Sequence, residues 1–380
     1  TPPKKITPPS MLIYPFGLNQ SQRTAVENAF SSQVSIIQGP PGTGKTQTIL
    51  NIIANAVRIG RSVAVVSNNN SAIQNVLDKL EKKQLGFLAA FLGSLENKRN
   101  FLESQSGSYP NMAAWVMDPK AQTQLEERTK KLSEELSNML NAKNRIAEIG
   151  QELLQIELEQ HHFQEYLALQ GAADNDTSIG LRSEKILELL AEYEHALENN
   201  QKLNFIKKVS LLFRFNRAAL RLFQREPELM VPYLQKQFYI TRQGELTEEK
   251  SSLEKKLGHY SFDQKMAELA EGSMRLFKAE LAKKYGWSSP RKLFEFSDFS
   301  RNSCEFCKEY PVILSTTYSI KSTLDSGHVY DYLIVDESSQ VDLTTGVLAF
   351  SCARNIVIVG DSKQLPNVLT SDNIRIAETI

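Results

Sequence analysis

The sequence has little cysteine, no excess of charge of either sign and no long apolar run. Three cysteines in 380 residues are too few for a disulfide framework, which predicts a reducing, cytoplasmic compartment. Lysine plus arginine and aspartate plus glutamate both number 44, so the total charge neither favours nor excludes a nucleic-acid partner. The sequence contains no signal peptide and no uncharged apolar stretch long enough to span a bilayer, so we predict no transmembrane segment.

Glycine and strand signals are scarce in the middle of the chain and common on either side of it. Residues 1–15 are rich in proline and predict a linker, and a chain that begins at Thr1 and not at methionine predicts a fragment or a processed product. Residues 16–80 and 310–380 alternate short apolar strands with helices. The strands are predicted at 34–37, 62–66, 312–314, 332–335 and 356–359. Such strands, joined by helical crossovers, predict an α/β fold with one parallel sheet covered on both faces.

The middle region, residues 81–309, is rich in Glu, Lys, Leu and Gln. Two seven-residue apolar series, offset by three, are typical of the a and d positions of a coiled coil. Their members are Leu125, Leu132, Met139, Ile146 and Leu153, followed by Ala142, Ile149, Ile156 and Phe163. We therefore predict a long α-helical insertion that interrupts the sheet, an antiparallel stalk with its tip near residues 171–240.

A glycine-rich turn follows the first strand and precedes a helix. Residues 39–46 match G-x-x-x-x-G-K-[ST], in which the glycines let backbone N–H groups converge on phosphate oxygens at a helix N-terminus. Lys45 would place a positive charge on the β- and γ-phosphates, and the Thr46 hydroxyl would ligate Mg²⁺. The alternative is a flexible Gly/Pro loop, but the flanking strand and helix favour a phosphate-binding loop.

Two polar turns follow later strands and are predicted at the same edge of the sheet. Asp336 can hold Mg²⁺, and Glu337 can orient the attacking water and accept its proton. In the turn at 360–366, Gln364 is positioned to sense the γ-phosphate. Each turn alone could be an ordinary loop after a strand. Together with the phosphate loop they predict a nucleoside triphosphatase.

The three motifs resemble those of superfamily 1 helicases, and within them group 1B, which includes the nonsense-mediated-decay helicase and senataxin. The resemblance covers roughly residues 16–80 and 310–370. It implies a RecA-like P-loop motor domain that couples ATP hydrolysis to movement on single-stranded DNA or RNA. The L-N-x-x-Q pattern at 18–22 resembles the adenine-reading motif of that family, which implies that Gln22 bonds the adenine edge.

Several residues are expected to bind or act on ATP by these motifs. The expected ATP contacts are Gln22, Gly39, Pro40, Gly42, Thr43, Gly44, Lys45, Thr46 and Gln364. Of these, Lys45 and Gln364 are expected to act in catalysis together with Glu337. Thr46 and Asp336 are the expected Mg²⁺ ligands.

Two further loops resemble the helicase motifs Ia and Ic, which implies contact with the nucleic-acid backbone. The first, at 67–72, lacks the proline usual in the family. Small hydroxyl and amide side chains can donate hydrogen bonds to phosphates without reading bases. The alternative role for these side chains is helix capping and turn formation within the protein. The side chains expected at this interface are Ser67, Asn68, Asn69, Thr316 and Thr317.

The insertion has two other notable features. The segment 202–225 is basic, with interleaved phenylalanines and no acidic residue, and fits a packed amphipathic helix, a nucleic-acid contact or a membrane surface. Cys304 and Cys307 form a C-x-x-C pair without a second pair, so we predict structural thiols and not a zinc site.

In the family that the motifs resemble, a second RecA-like domain supplies arginines that stabilise the transferring phosphoryl group. The corresponding motifs IV to VI are not found after Gln364, so we expect this chain to bind Mg-ATP but to hydrolyse it slowly. Two other functions stay open. One is an architectural ATPase of the SMC type, against which the lack of an L-S-G-G signature before Asp336 argues. The other is an ATP-dependent switch that controls a fused effector.

Overall fold

A six-stranded parallel sheet forms the centre of the part of the chain that carries the motifs. The computed structural model describes residues 4–169, 179–198, 227–286 and 290–364. The strands are β1 (Val34–Gln38), β2 (Val63–Val66), β3 (Ala89–Phe91), β4 (Val312–Ser315), β5 (Tyr330–Val335) and β6 (Ala353–Gly360). Their order across the sheet is β1-β6-β5-β2-β4-β3, and every pairing is parallel. The predicted α/β fold is confirmed.

The helices alternate with these strands and also form the insertion. They are α1 (Gln20–Ser31), α2 (Lys45–Arg58), α3 (Asn70–Lys82), α4 (Leu95–Ser104), α5 (Pro119–Leu169), α6 (Ser183–Glu198), α7 (Pro227–Leu257), α8 (Phe262–Tyr285), α9 (Asp298–Arg301), α10 (Ser303–Glu309) and α11 (Leu343–Phe350). Within the described ranges, no helix has both the length and the apolar content needed to cross a bilayer.

The strand β3 was not predicted from the sequence. It has only three residues, and it lacks the β-branched run that marks the other strands. It pairs with β4 through Ala89↔Val312 and Phe91↔Leu314, and Ala90 is fully buried. Because β3 lies within 81–309, residues of the sheet extend into the region that composition had separated from it.

The segment that leads into α1 is fastened to α2 by two buried asparagines. Asn55 accepts from the Ile13 N–H at 2.9 Å and donates to the Ile13 carbonyl at 2.7 Å. Asn51 accepts from the Phe16 N–H at 3.1 Å and donates to the Gly17 carbonyl at 2.7 Å. Residues 11–15, the end of the predicted linker 1–15, and Phe16 are therefore packed on α2, and they fix the start of α1 beside the phosphate loop.

The described chain divides into two compact units, one running up to Ser137 and resuming at Ser261, the other Asn138–Tyr260. The domain bounds predicted at 81 and 309 are wider than the second unit and stay a prediction. In the first unit the start of α5 runs antiparallel to α8, with an ion pair between Lys265 and Glu135 at 3.8 Å.

In the second unit, the rest of α5 runs antiparallel to α7. Arg145 pairs with Glu249 at 2.8 Å, and Arg242 pairs with Glu152 at 2.8 Å. Next to these ion pairs, the buried side chains of Ile149, Ile156 and Leu246 form a small core. The heptad positions 149 and 156 therefore face a partner helix, as the sequence predicted. The basic stretch 202–225 and much of the predicted tip lie outside the described residues.

Candidate functional site

The carboxyl ends of the parallel strands bring the separated motifs to one edge of one sheet. β1 ends before Gly39, β5 before Asp336 and β6 before Asp361. Because β6 lies between β1 and β5, the phosphate loop and the acidic pair are about two strand spacings apart, roughly 10 Å. That gap has room for a phosphate chain and a metal ion.

The phosphate loop has the backbone conformation that its glycines permit. Gly42 and Gly44 have φ values of 83° and 84°, in the left-handed region. α2 begins directly after Gly44, and its first N–H groups have no partner within the helix. The Lys45 ammonium donates to the Gly39 carbonyl at 2.8 Å, and the Thr43 hydroxyl donates to the Pro40 carbonyl at 2.7 Å. The loop therefore presents unpaired amides and a positive charge at the sheet edge.

A cleft of about 650 Å³ opens at this edge. Most of the predicted ATP, metal and catalytic residues line it: Gly42, Gly44, Lys45, Thr46, Asp336, Glu337 and Gln364. Gly39, Pro40 and Thr43 form the turn behind the lining, where the Gly39 N–H donates to the Gly360 carbonyl at 3.1 Å.

Asp336 is the most buried carboxylate of the cleft, with 6% of its surface exposed. Burial raises its pKa to about 6, the nearby charge of Glu337 adds to the rise, and the N–H of Glu337 and the charges of Lys45 and Lys79 oppose it. A divalent cation would oppose this rise more strongly, because it binds the ionised carboxylate. Asp336 and Thr46 therefore form a donor pair of the hard oxygen type that Mg²⁺ prefers.

The raised pKa predicts a pH dependence of Mg-ATP binding. Only the ionised carboxylate binds the metal, so the affinity for Mg-ATP should fall by about fivefold between pH 6 and pH 5. Titration of the chain with a fluorescent ATP analogue at several pH values measures this. Asp336→Asn, which cannot ionise, is the control and should show only the pH dependence of the nucleotide. Equal slopes for both proteins would refute the assignment.

Glu337 has a strained backbone in the middle of the site. Its φ is 50°, in the left-handed region that few non-glycine residues adopt. Its N–H donates to Asp336 Oδ1 at 2.9 Å, and its carbonyl accepts from the Gln340 N–H at 2.9 Å. Its Oε2 atom is buried without a partner among the described residues. An acceptor oxygen with no protein partner suits a general base for water.

The turn after β6 is packed against the acidic turn after β5. A Cβ at Gly360 would lie 2.4 Å from the Ser338 hydroxyl, so only glycine allows this approach. Beyond it, the Gln364 N–H donates to the Asp361 carbonyl at 3.1 Å. Leu365 and Pro366 lie outside the described residues. The close packing holds the turn after β6, which carries Gln364, in contact with the segment that carries Glu337.

Comparison with known proteins gives the family of this site. The family described as an AAA domain matches residues 17–372. The chain belongs to this AAA-domain family. It is 39% identical to the DNA-binding protein SMUBP-2 of Rattus norvegicus over 102 residues, 25% of this chain and 10% of that protein. It is 43% identical to the putative ATP-dependent RNA helicase ECM32 of Saccharomyces cerevisiae over 65 residues, 17% of this chain and 6% of that protein.

A third relative is the regulator of nonsense transcripts 1 homolog of Drosophila melanogaster, 41% identical over 69 residues, 18% of this chain and 6% of that protein. The resemblance to superfamily 1B helicases is thus confirmed, and this AAA domain is a helicase-family, ATP-binding P-loop domain. The matches span no more than 10% of the length of these three relatives.

In this AAA domain, Gln22 contacts the phosphate loop and not only its own helix. Its Oε1 accepts from the Asn19 N–H at 2.8 Å. Its Nε2 lies 3.2 Å from the carbonyl oxygens of Thr43 and Gly44 and 3.1 Å from Gln47 Oε1. The predicted adenine contact would have to replace some of these bonds, and it stays a prediction.

A side chain at position 44 would displace the Gln22 amide from the phosphate loop. A Cβ at Gly44 would lie 2.0 Å from Gln22 Nε2, whereas a Cβ at Gly42 would meet nothing within 4 Å at almost the same φ. Gly44→Ala should therefore lower the free energy of unfolding by about 1 kcal/mol more than Gly42→Ala, because both strain the backbone but only the former displaces Gln22 Nε2 from its hydrogen bonds. Urea unfolding of the two variants measures the difference. Equal losses would show that Gln22 moves aside freely.

The side chains predicted at the nucleic-acid interface are largely engaged inside the protein. Ser67 and Thr317 are fully buried. Asn68 donates to the Gln340 carbonyl at 2.9 Å and accepts from the Thr317 hydroxyl. Asn69 caps α3 by accepting from the Ser71 N–H at 2.9 Å.

The last of these side chains, that of Thr316, is also hydrogen-bonded within the protein. Its hydroxyl donates to the Gly93 carbonyl at 3.3 Å and accepts from the Ser319 N–H at 3.2 Å. Capping and turn formation therefore occupy these side chains, and contact of the two loops with a phosphate backbone stays a prediction.

The C-x-x-C pair is split between surface and core. Cys304 is exposed and Cys307 is buried. Burial raises the pKa of the Cys307 thiol to about 12, so it stays protonated at neutral pH. A thiolate is the form that binds zinc.

Sequence reasoning missed several residues that line the cleft, namely Phe16, Gln47, Lys79, Lys82 and Lys83. The first two lie in segments whose motifs were recognised. The lysines belong to α3 and its C-cap, where their spacing of three and four was visible, but a charged helix face is usually a solvated one.

Proposed function

We propose that this AAA domain is the ATP-binding motor domain of a helicase or translocase that couples hydrolysis of Mg-ATP to movement on single-stranded DNA or RNA. The observation that carries the proposal is the cleft, in which Lys45, Thr46, Asp336, Glu337 and Gln364 line one cavity. A point charge, two metal ligands, a water-orienting carboxylate and a γ-phosphate sensor are what phosphoryl transfer to water requires. One relative is named for DNA binding and another for RNA helicase activity, which supports both DNA and RNA as the bound strand.

A hydrogen-bonded link supports coupling between the two activities. Asn68, from the loop after β2, bonds both to Thr317, from the loop after β4, and to Gln340, from the turn that starts at Glu337. A strand of nucleic acid that shifts either loop would therefore act on the segment that carries the general base. Such coupling requires a structural element with two conformations, whose equilibrium both binding sites can shift.

We further propose that the 380 residues alone turn ATP over slowly. The low cysteine content supports a second proposal, that the protein works in a reducing, cytoplasmic compartment. In related ATPases an arginine from a second domain or a partner contributes about 10³–10⁵-fold to the rate. A turnover rate of the isolated chain equal to that of the protein in which it occurs would contradict this proposal.

The test is the effect of nucleic acid on ATP turnover by the protein that contains this chain. Single-stranded DNA and RNA oligonucleotides are each titrated, and affinity is followed by fluorescence anisotropy while phosphate release is followed in parallel. We expect binding, stimulated turnover and displacement of a paired strand. ATP turnover that neither strand stimulates would refute the motor and would favour an ATP-dependent switch.

The variant Asn68→Ala distinguishes two roles of Asn68, a link between the loops and a direct contact with a phosphate. If Asn68 links the loops, nucleic-acid affinity stays near wild type while stimulation falls by about fivefold or more, the lower range of coupling energies. If Asn68 contacts phosphate, affinity falls instead. Asn70→Ala, at an exposed position two residues away, is the matched control.

A further inference from the structure

Three lysines of one helix face line the nucleotide cleft and are not part of its sequence motifs. Lys79 and Lys82 lie in the last turn of α3, and Lys83 caps it. All three line the same cavity as Lys45 and Asp336. None of their ammonium groups makes an ion pair or hydrogen bond with any residue that the structure describes. Lys79 is half-buried, whereas the other two are exposed.

The lysines decide the sign of the charge in the cleft. Its ionisable lining consists of four lysines and two carboxylates, Asp336 and Glu337, an excess of two positive charges when all are ionised. Without the three lysines of α3, one ammonium would face two carboxylates, and the cleft would repel a nucleotide. ATP with one Mg²⁺ carries about two negative charges near neutral pH, so the excess matches the ligand.

Lys79 is the lysine of the three that acts on the metal side of the cleft. Of the three it lies nearest along α3 to the end of β2, where Val66 pairs with Val335, the residue before Asp336, and it is the only one of the three that is half-buried. Asp336 is the carboxylate proposed to hold the metal, which bridges the β- and γ-phosphates in related ATPases. A cation close to this carboxylate is therefore near the terminal phosphate.

We propose that Lys79 is a second lysine of the nucleotide site, which donates from α3 to the terminal phosphate of ATP and so distinguishes ATP from ADP. The proposal rests on ATP binding in this cleft, and it adds a residue to that site. Lys82 and Lys83 contribute long-range attraction from more exposed positions, which salt screens. Lys79 acts on the same phosphoryl group as Lys45 but comes from a different helix.

The experiment measures the affinity of the full chain for ATP and ADP in the presence of Mg²⁺, by calorimetry at constant ionic strength. Lys79→Met removes the charge and keeps the side-chain length. We expect it to weaken ATP binding by about tenfold or more, the effect of losing a charge-assisted hydrogen bond, and to weaken ADP binding less than threefold. Lys79→Arg should restore ATP affinity to within threefold of wild type.

Two matched controls separate this effect from a general loss of positive charge. Lys82→Met, one turn away, should weaken ATP and ADP equally and by less than threefold. Lys321→Met, at an exposed position outside the cleft lining, should change neither. Thermal melts check folding, and Lys79→Gln replaces the methionine variant if that variant is unstable.

The outcomes distinguish the role of Lys79 from ATP binding in the cleft. Wild-type affinity for ATP in Lys79→Met, or an equal loss of ATP and ADP affinity, overturns the assignment of Lys79 and leaves ATP binding intact. Failure of the wild-type chain to bind ATP at all overturns the nucleotide site itself and the role of Lys79 with it.

Discussion

Replacing Glu337 with glutamine is expected to lower the rate of ATP hydrolysis by about 10²–10⁴-fold, the usual contribution of a general base, while ATP still binds. The glutamine keeps the size of the side chain but cannot accept the proton of the attacking water. ATP affinity should stay within about threefold of wild type, because the phosphate charge is held by Lys45 and the metal. Single-turnover hydrolysis and equilibrium binding, on the protein that contains this chain, measure the two quantities.

The local structure explains why the substitution isolates the chemical step. Glu337 keeps a left-handed backbone, φ 50°, which costs about 1–2 kcal/mol for a residue with a Cβ. Strain of this kind persists where the surroundings fix it, and it clusters at active sites. Glutamine pays the same backbone cost, so the fold should not change. Glu96→Gln, the same exchange at an exposed position of α4, is the control. Hydrolysis by Glu337→Gln within threefold of wild type would show that another group takes the proton.

The candidate site was predictable from the sequence because its geometry follows from parallel pairing. Once the apolar strands before Gly39, Asp336 and Asp361 were recognised, their carboxyl ends had to meet at one edge. The distance in sequence between Lys45 and Asp336 did not matter, because the insertion leaves and re-enters the sheet at other strands. Local patterns therefore predicted that the three motifs share one cleft, although they did not predict its whole lining.

Other parts of the fold depend on contacts that no local pattern records. β3 is a strand because β4 offers an unpaired edge, and its own residues, Ala-Ala-Phe, carry little strand preference. Asn68 has the residue type expected of a phosphate donor, and the same type serves as an internal link once Thr317 and Gln340 are beside it. The lysines of α3 resembled a solvated face, and only the tertiary structure places them in one cleft lining with α2 and the acidic turn. In each case the deciding partner comes from a distant part of the sequence.

Arg291 is a further residue that only the tertiary structure reveals. Its side chain is 4% exposed and pairs with Glu309 at 2.7 Å, and it donates to the Phe87 carbonyl at 2.7 Å. The guanidinium lies between the rings of Tyr109 and Tyr310, with 5.0 Å and 4.1 Å to the ring centroids. Burial and the bond to Glu309 raise the pKa of the Tyr109 hydroxyl, so it remains a donor to that carboxylate. One cation therefore holds together segments that precede and follow the second compact unit, Asn138–Tyr260.

Replacing Arg291 with methionine is expected to lower the free energy of unfolding by about 3 kcal/mol, because it leaves the Glu309 carboxylate, which is 15% exposed, without its cation and removes the bond to the Phe87 carbonyl. Urea unfolding followed by fluorescence measures the loss. Arg61→Met is the matched control: its side chain is 54% exposed, and its pair with Asp331 should contribute less than about 1 kcal/mol.

The double variant Arg291→Met/Glu309→Gln separates the unpaired charge from the lost packing. Glutamine removes the charge but still accepts from the Tyr109 hydroxyl. If the unpaired carboxylate dominates the loss, the double variant should be more stable than Arg291→Met alone, by about 1–3 kcal/mol. If the stacked guanidinium and its bond to the Phe87 carbonyl dominate, the second substitution should recover nothing. A loss for Arg291→Met no larger than that for Arg61→Met would refute both explanations. Neither the unpaired carboxylate of Glu309 nor the lost packing of the guanidinium would then destabilise the fold.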